Sequence, residues 1–574
     1  VYGQIASLPV GYNHPAVLDA MSDRKNLAML AQRPCLGVFP PADWVDRIQA
    51  TLLKVAPEGL ADVNTLMCGS CSNENAYKAV FMWFQTKLRG GRPPSAHDLE
   101  TCMTHQLPGT PNLSILSFQG GFHGRLFGCL STTHSKAIHK VDVPAFDWPV
   151  APFPKLRYPR EVHEATNEAE EARCLEEVER LLKQSAEVTS AKDSRIAGMI
   201  VEPIQAEGGD NHASPAFFRK LRGLAAKYGV AFIVDEVQTG GGSTGKFWAH
   251  EHWELENPPD LVTFSKKLQT GGYFAKEEFR LQEGYRIFNT WMGDPTKMIT
   301  LQAVLEVVDR DNLLENVNIT GEYLKNGLQE MATTFPTLVS NVRGQGTYLA
   351  MDFPTEAVRN DFVGIMKKLG VASGGCGVKS VRFRPALVFQ PKHAAEYLDK
   401  MQRACEILSE KRQTSKRYGS VDVEAFLKSI RVSFGLFLAL ENDSAPTFQP
   451  RVLSVSIKVS IRCRPFTCDD KLGVVLTQNG EEEGDVELIN STYSTTRFAF
   501  SYAWWSAYGY KRHIQGDPLP ADNMTLVDQQ MAYESVGLKI KSDLLGGNAV
   551  VLFAYGLSGS GKTFTVFGVR FTVL

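Results

Sequence analysis

Two short stretches hold side chains fit for chemistry. In "AFIVDEVQTGGG" (231–242) an apolar run ends in Asp235 and Glu236 and passes into glycines, and in "LVTFSKKLQTGG" (261–272) another apolar run stops at Lys266 and Lys267. Open α/β sheets bind ligands at the carboxyl ends of their strands, so both pairs are expected at a functional edge. A carboxylate beside an amine suits a pyridoxal-phosphate site. There a lysine forms a Schiff base, and an aspartate keeps the pyridine nitrogen protonated so that the ring accepts electrons. Taken alone, the spacing fits two solvated polar caps on strands at least as well.

Two further stretches extend the pattern. "CGSCSNENAYKAVFMWF" (68–84) sets Gly69 and Ser70 before an amphipathic helix with Asn73 near its start, and amides at a helix N-terminus with a serine hydroxyl make a phosphate cup. "GGFHGR" (120–125) places Phe122 between glycines that let the chain approach a flat ligand, with Arg125 available for a carboxylate. Cys68 and Cys71 form a C-x-x-C that reads as a redox pair, half a metal site, or an incidental spacing.

The elements that must position these residues alternate. "RIAGMIVEP" (195–203), "SPAFFRKLRGLAAKYG" (214–229) and "VAFIVDE" (230–236) read as strand, helix, strand, which predicts a mostly parallel sheet between helices. "ATNEAEEARCLEEVERLLKQSAE" (165–187) predicts an exposed helix with a sparse apolar stripe. "FPPADWVDRIQATLLKVAP" (39–57) predicts a helix opened and closed by prolines. The 574 residues, 43% hydrophobic and 22% charged, have the composition of a multidomain globular chain. A formal charge of -2, from 61 basic against 63 acidic side chains, gives no global attraction to nucleic acid or an anionic membrane. The longest apolar runs fall well short of the ~18 residues that span a bilayer. Ten cysteines are too few for a disulfide-stapled scaffold, so a reducing compartment is expected. The chain opens on Val1 in mid-pattern, which reads as a missing N-terminal piece.

Together, "CGSCSNENA", "GGFHGR", "IVEPIQAEGGDNHAS", "FIVDEVQTGGGSTGKFWAHEHW", "FSKKLQTGG", "RIFNTWMGDP" and "GGCGVKSVRFRP" resemble the class III, fold-type I aminotransferases, and within them the enzymes acting on 4-aminobutyrate (GABA). The resemblance covers residues 1 to about 411. It implies an α/β fold-type I pyridoxal-phosphate transferase, with a large cofactor domain over 1–295 and a smaller α+β C-terminal domain over 296–411. Lys266 would be the Schiff-base lysine and proton shuttle, with Lys267 the less favoured choice. Asp235 would pair with the ring nitrogen, Gln238 would lie near the ring hydroxyl, and Phe122 would stack on the ring. Gly69 and Ser70 would hold the phosphate, joined by Thr290 of a second copy in a homodimer. Arg125, with Lys136 nearby, would take the GABA carboxylate. Arg382 would take the α-carboxylate of 2-oxoglutarate or glutamate, with Glu207 pairing it when GABA is bound. Glu202 would lie close to the substrate-facing side and Ile5 on the pocket wall. Cys68 and Cys71 from each copy would bind a [2Fe-2S] cluster across the dimer axis. The resemblance also implies ping-pong transamination in the mitochondrial matrix.

A different pattern begins near residue 452, after a segment over 412–451 that ends in "ENDSAPTFQP" and whose "SIRVSFG" reads as a further strand. Near the end of the chain, the strand-like "NAVVLFAYG" leads into Gly556-Leu557-Ser558-Gly559-Ser560-Gly561-Lys562-Thr563, a phosphate loop. Its amides would cradle ATP phosphates, Lys562 would reach the β and γ oxygens, and Thr563 would ligate Mg²⁺. With "IKVSIRCRPF" and "FAFSYAWWS", the stretch over 452–574 resembles the start of a kinesin motor, a partial P-loop NTPase in which Arg462 to Pro465 would lie against the adenine. The likeness covers about a third of a motor head and lacks both switch motifs. The expectation is a segment unable to hydrolyse ATP or step on microtubules, belonging either to a longer fusion or to two joined reading frames. The competing whole-chain readings are a cytoskeletal motor with an accessory aminotransferase part, and an inactive aminotransferase fold.

Overall fold

The structure is a computed structural model that describes residues 3–417 continuously, together with seven strand segments between residues 460 and 520. The chain forms two units, residues 1–429 and 430–574.

The first unit is built on a seven-stranded sheet. Its strands are β1 (Asp62–Leu66), β2 (Leu113–Phe118), β3 (Val150–Ala151), β4 (Arg195–Val201), β5 (Ala231–Asp235), β6 (Leu261–Phe264) and β7 (Gly271–Ala275), in the order β1-β7-β6-β5-β4-β2-β3. Neighbours from β3 to β6 run parallel, while β7 runs antiparallel to both β6 and β1. Two reversals restore direction, so β1 points the same way as β6. The central strands "LSILSF", "IAGMIV", "AFIVD" and "LVTF" are buried throughout and nearly free of polar residues, as strands covered on both faces must be.

The covering helices follow from local signals. Helix Pro215–Tyr228 has proline at its first position and is capped by Ser214, whose Oγ accepts the Phe217 N–H at 3.1 Å. It ends at Gly229, whose φ of 64° is the left-handed conformation glycine adopts without strain. Helix Glu164–Ala186 buries Asn167, Glu171, Cys174, Val178 and Leu182, a stripe at helical spacing in an otherwise charged segment. Its buried Glu171 accepts the Ser214 N–H and O–H, each at 2.6 Å, which fixes one helix to the start of the other. The long reading of residues 39–57 is corrected: the helix is only Trp44–Ala50, followed by a single 3₁₀ turn at Leu53–Val55. Pro40 and Pro41 precede it, and Thr51, at ψ -85°, breaks the continuity.

A second sheet of four antiparallel strands has the order β10-β11-β9-β8, with β8 at Ser340–Gln345, β9 at Tyr348–Asp352, β10 at Gly374–Cys376 and β11 at Ser380–Arg382. It shares a separate core with helices Leu313–Thr334, Glu356–Lys368 and Pro391–Arg417, in which Leu324, Phe362 and Met401 are fully enclosed. In the second unit, Gly473–Gln478, Gly484–Ile489 and Thr495–Phe500 pair as an antiparallel three-stranded sheet, and Ser460–Arg462 pairs in parallel with Tyr502–Trp504. The phosphate-loop residues 556–563, Pro465 and the strand expected at 429–435 lie outside the described residues.

Candidate active site

Because β1, β2, β4, β5 and β6 all point one way, their carboxyl ends share one sheet edge. Each end delivers a residue singled out above: Gly69 after β1, Phe122 after β2, Glu202 after β4, Asp235 on β5 and Lys266 after β6.

Asp235 is held on three sides. Its Oδ2 accepts from Asn73 Nδ2 and from His123 Nδ1, both at 2.8 Å, and its Oδ1 accepts the Val237 N–H at 3.0 Å. A buried carboxylate with this many donors is oriented rigidly and stays available as a charge partner. Glu202 Oε1 accepts the Phe122 N–H at 2.9 Å and Oε2 the Ala206 N–H at 3.1 Å. Burial, reinforced by the Asp235 charge, pushes the Glu202 carboxyl well above the ordinary range.

The two lysines separate cleanly. Lys267 is buried and donates to the Gln238 carbonyl at 2.6 Å, so its nitrogen is committed to the backbone. Lys266 sits in a left-handed conformation, φ 50°, in a 3₁₀ turn directly after β6. Burial lowers its ammonium to about 8; the Arg382 and Arg384 charges push the same way, while Asp235 and Glu202 oppose them.

Gln238 is clamped from behind. Its Oε1 accepts from Arg384 Nε at 2.8 Å and from the Tyr348 hydroxyl at 3.1 Å. Arginine has only donors, so the amide oxygen must face it and the amide NH₂ is left to point the other way. Arg384 itself is fully buried, pairs with Asp210 at 2.5 Å and stacks on Tyr348, 3.3 Å from the ring centroid.

The phosphate cup also takes shape. Cys68 stands at the N-terminal cap of helix Gly69–Leu88, and backbone amides at a helix N-terminus suit a phosphate. A Cβ on Gly69 would come within 2.5 Å of Val237, and one on Gly124, at φ 128°, would overlap Ser70. The Arg125 N–H reaches Ser70 Oγ at 3.3 Å. The Arg125 guanidinium is exposed, lies 5.0 Å from the Phe122 ring centroid and contacts His139 Nε2 at 3.3 Å.

Glu207 bridges two cations, with Lys136 at 2.5 Å and Arg382 at 3.0 Å. Burial pushes its carboxyl up, but the Lys136 hydrogen bond and the two positive charges outweigh it and hold the group below its ordinary value. Lys136 thus engages Glu207, while Arg125 stands apart from it. Ile5 is 44% exposed in a left-handed turn at Gly3–Ala6, and the Ser7 carbonyl that follows the turn accepts from Gln269 Nε2 at 3.3 Å, beside the Lys266 turn. Thr290 is exposed, its carbonyl accepts from Cys35, and among the described residues no contact joins it to the cup. Cys68 Sγ and Cys71 Sγ lie 3.7 Å apart. The hydrogen bond from Cys71 brings the Cys68 thiol down to about 5, while that of Cys71 is pushed up. No group of three or more His, Cys, Asp or Glu side chains placed to hold a metal ion occurs among the described residues.

Sequence reasoning assigned no role to His123, Asp210, Tyr348 or Arg384. His123 adjoins Phe122 in the quoted "GGFHGR", and Arg384 stands two residues after Arg382, the strand spacing that returns a side chain to one face. Asp210 and Tyr348 carried no comparable signal.

Comparison with known proteins gives three concordant results. Residues 1–405 match the class-III aminotransferase family. The chain is 55% identical over 398 residues to mitochondrial 4-aminobutyrate aminotransferase of Mus musculus, covering 69% of this chain and 79% of that protein. It is 53% identical over 408 residues to 4-aminobutyrate aminotransferase of Dictyostelium discoideum, covering 71% and 81%. Among solved structures, lysine aminotransferase from M. tuberculosis superposes with a TM-score of 0.61 at 29% identity, covering 71% of this chain and 89% of that one.

Proposed function

Since this chain belongs to the class-III aminotransferases, we propose that it transfers the amino group of 4-aminobutyrate to 2-oxoglutarate, yielding succinate semialdehyde and glutamate. The observation that carries the reading is the Lys136–Glu207–Arg382 bridge beside Lys266. One pocket must accept a substrate with a single carboxylate and another with two, and Arg382 is a cation that can be masked or exposed.

Pyridoxal phosphate fits the residues present. The N-terminus of helix Gly69–Leu88 follows β1, Asp235 is a buried carboxylate oriented by three donors, and the Lys266 amine, lowered by burial, follows β6 at the same edge. Gly69 and Ser70 would hold the phosphate, with Thr290 of a second copy. Asp235 would hold the ring nitrogen, Gln238 would donate its amide to the ring hydroxyl, and Phe122 would cover the ring. When bound, the cofactor supplies an electron sink for the charge left on the substrate carbon. The rest falls to the chain. Arg125 holds the 4-aminobutyrate carboxylate while Glu207 neutralises Arg382. The neutral Lys266 amine takes a proton from the amine-bearing carbon and would deliver it to the cofactor's side of the carbon–nitrogen bond within the same half-reaction. The 2-oxoglutarate half-reaction runs this transfer in reverse. Burial and the Asp235 charge raise the Glu202 carboxyl, which favours its neutral form beside Asp235. When 2-oxoglutarate enters, its second carboxylate displaces Glu207 from Arg382, leaving Glu207 with Lys136. Glu207→Gln is expected to raise KM for 4-aminobutyrate about tenfold or more and leave the glutamate half-reaction nearly intact. Equal effects on both half-reactions would refute the masking role.

Three finer readings belong here. Residues 296–411 form the smaller domain, with the division near 295. Cys68 and Cys71 provide half the ligands of a [2Fe-2S] cluster shared with a second copy. In support, a tetrahedral ion with ~2.3 Å bonds to sulfur sets two ligands about 3.8 Å apart, close to the separation seen. Iron content equal in wild type and Cys68→Ala would exclude it. The mammalian relatives are named mitochondrial, and the matrix is the compartment we assign; among the described residues no helix is long and apolar enough to cross a membrane. The kinesin-like reading of 452–574 rests on sequence alone, since the family match ends at residue 405.

A further inference from the structure

A cleft of about 730 Å³, on whose lining none of the residues assigned to the transamination centre lies, opens in the first unit between helix Leu313–Thr334 with strand β8 and the segments that carry Tyr158, Phe218 and Trp253. Tyr158 and Arg160, the loop residue His212, Lys325 of helix Leu313–Thr334 and strand β8 line it. Its volume lies within the range of small-molecule pockets. Three buried nitrogens on its wall make no hydrogen bond: Nε and Nη2 of Arg160, and Nε2 of His212. Buried polar atoms are nearly always satisfied, so three around one cleft point to a missing acceptor.

The charge balance identifies the kind of acceptor. Arg343 is answered by Asp352 at 2.9 Å and by the carbonyls of Gly209 and Asp210. Arg160 and Lys325 have no ion-pair partner among the described residues, and the only carboxylate on the lining is the exposed Glu161. Burial and the nearby Arg160, Arg343, Arg384 and Lys325 charges hold the His212 imidazole well below its ordinary value. Phe218 and Trp253, stacked with ring centroids 3.9 Å apart, also line it.

We propose that this cleft is a second ligand site, separate from the transamination centre, that binds a small organic anion by its carboxylate or phosphate through Arg160, Lys325 and His212. Guanidinium forks suit both oxyanions, and the aromatic wall takes the organic body. The loop that supplies His212 also carries Glu207 and Asp210, so a bound anion bears on the segment that masks Arg382.

The test is calorimetric titration of the cofactor-loaded full-length protein with inorganic phosphate and, separately, with benzoate. Either anion is expected to bind, and Arg160→Gln and Lys325→Gln are each expected to weaken binding about tenfold, the loss of one charge-assisted bond. Arg382→Gln removes binding at the transamination centre and is not expected to abolish binding in the cleft. Tighter phosphate than benzoate identifies the source as phosphate esters, and the reverse identifies organic carboxylates. Absence of binding by both anions, meaning that water alone satisfies the three nitrogens, would overturn the proposal. So would binding abolished by Arg382→Gln but indifferent to the other two. Lys325 lies on a helix surface, so its variant keeps the test decisive if Arg160→Gln fails to fold. None of these outcomes depends on the chemistry at Lys266.

Discussion

Lys266 and Lys267 are adjacent, chemically identical in sequence, and separated by the structure on one ground. The nitrogen of Lys267 is committed to the Gln238 carbonyl, whereas that of Lys266 is brought to about 8 among nearby cations. A lowered value means that more of the amine is neutral as pH rises. Uptake of pyridoxal phosphate by the cofactor-free protein is therefore expected to quicken with pH and level off above about 8, followed by absorbance. A rate flat between pH 6 and 9 would contradict this. The Arg384–Asp210 pair makes a second prediction. Both side chains are fully buried, so Arg384→Gln strands a carboxylate and should cost about 3–5 kcal/mol in chemical denaturation. Asp210→Asn added to it should recover a large part, as a coupled pair requires. At this scale Asp235 and Lys266 were legible, because an apolar run that stops at a charge marks a strand end. The Arg384–Asp210 contact was not, since 174 positions separate its partners.

The elements explain why those strand ends meet. Parallel strands under helices bring five carboxyl ends to one edge, and glycines let the adjoining turns approach. Gly124, at φ 128° against Ser70, should tolerate no side chain, so Gly124→Ala is expected to lower pyridoxal-phosphate affinity and cost about 1–3 kcal/mol of stability. Gly223, in mid-helix with open space around it, provides the contrast. Gly223→Ala should stabilise by up to about 1 kcal/mol, read by the same denaturation curve. The parallel sheet and the helices over 164–186 and 215–228 were legible from periodicity. The antiparallel β7, "GGYFA", was not, because its direction depends on pairing between β6 and β1 and on no local signal.

For the whole molecule, the proposed role of Thr290 calls for a second copy of the chain. If Thr290 completes the phosphate cup of its partner, subunits carrying Lys266→Ala and subunits carrying Thr290→Ala should complement one another. In a mixed dimer one site keeps both residues and should regain wild-type cofactor affinity, while neither homodimer does. Failure to complement would place Thr290 outside the cup. The proposed action of Lys266 on the amine-bearing carbon of 4-aminobutyrate is tested most directly by the visible absorption spectrum. The purified chain should show a cofactor band that 4-aminobutyrate bleaches and 2-oxoglutarate restores, with no response in Lys266→Ala; a cofactor-loaded wild type whose band ignores 4-aminobutyrate, or a variant that responds as wild type does, would contradict it.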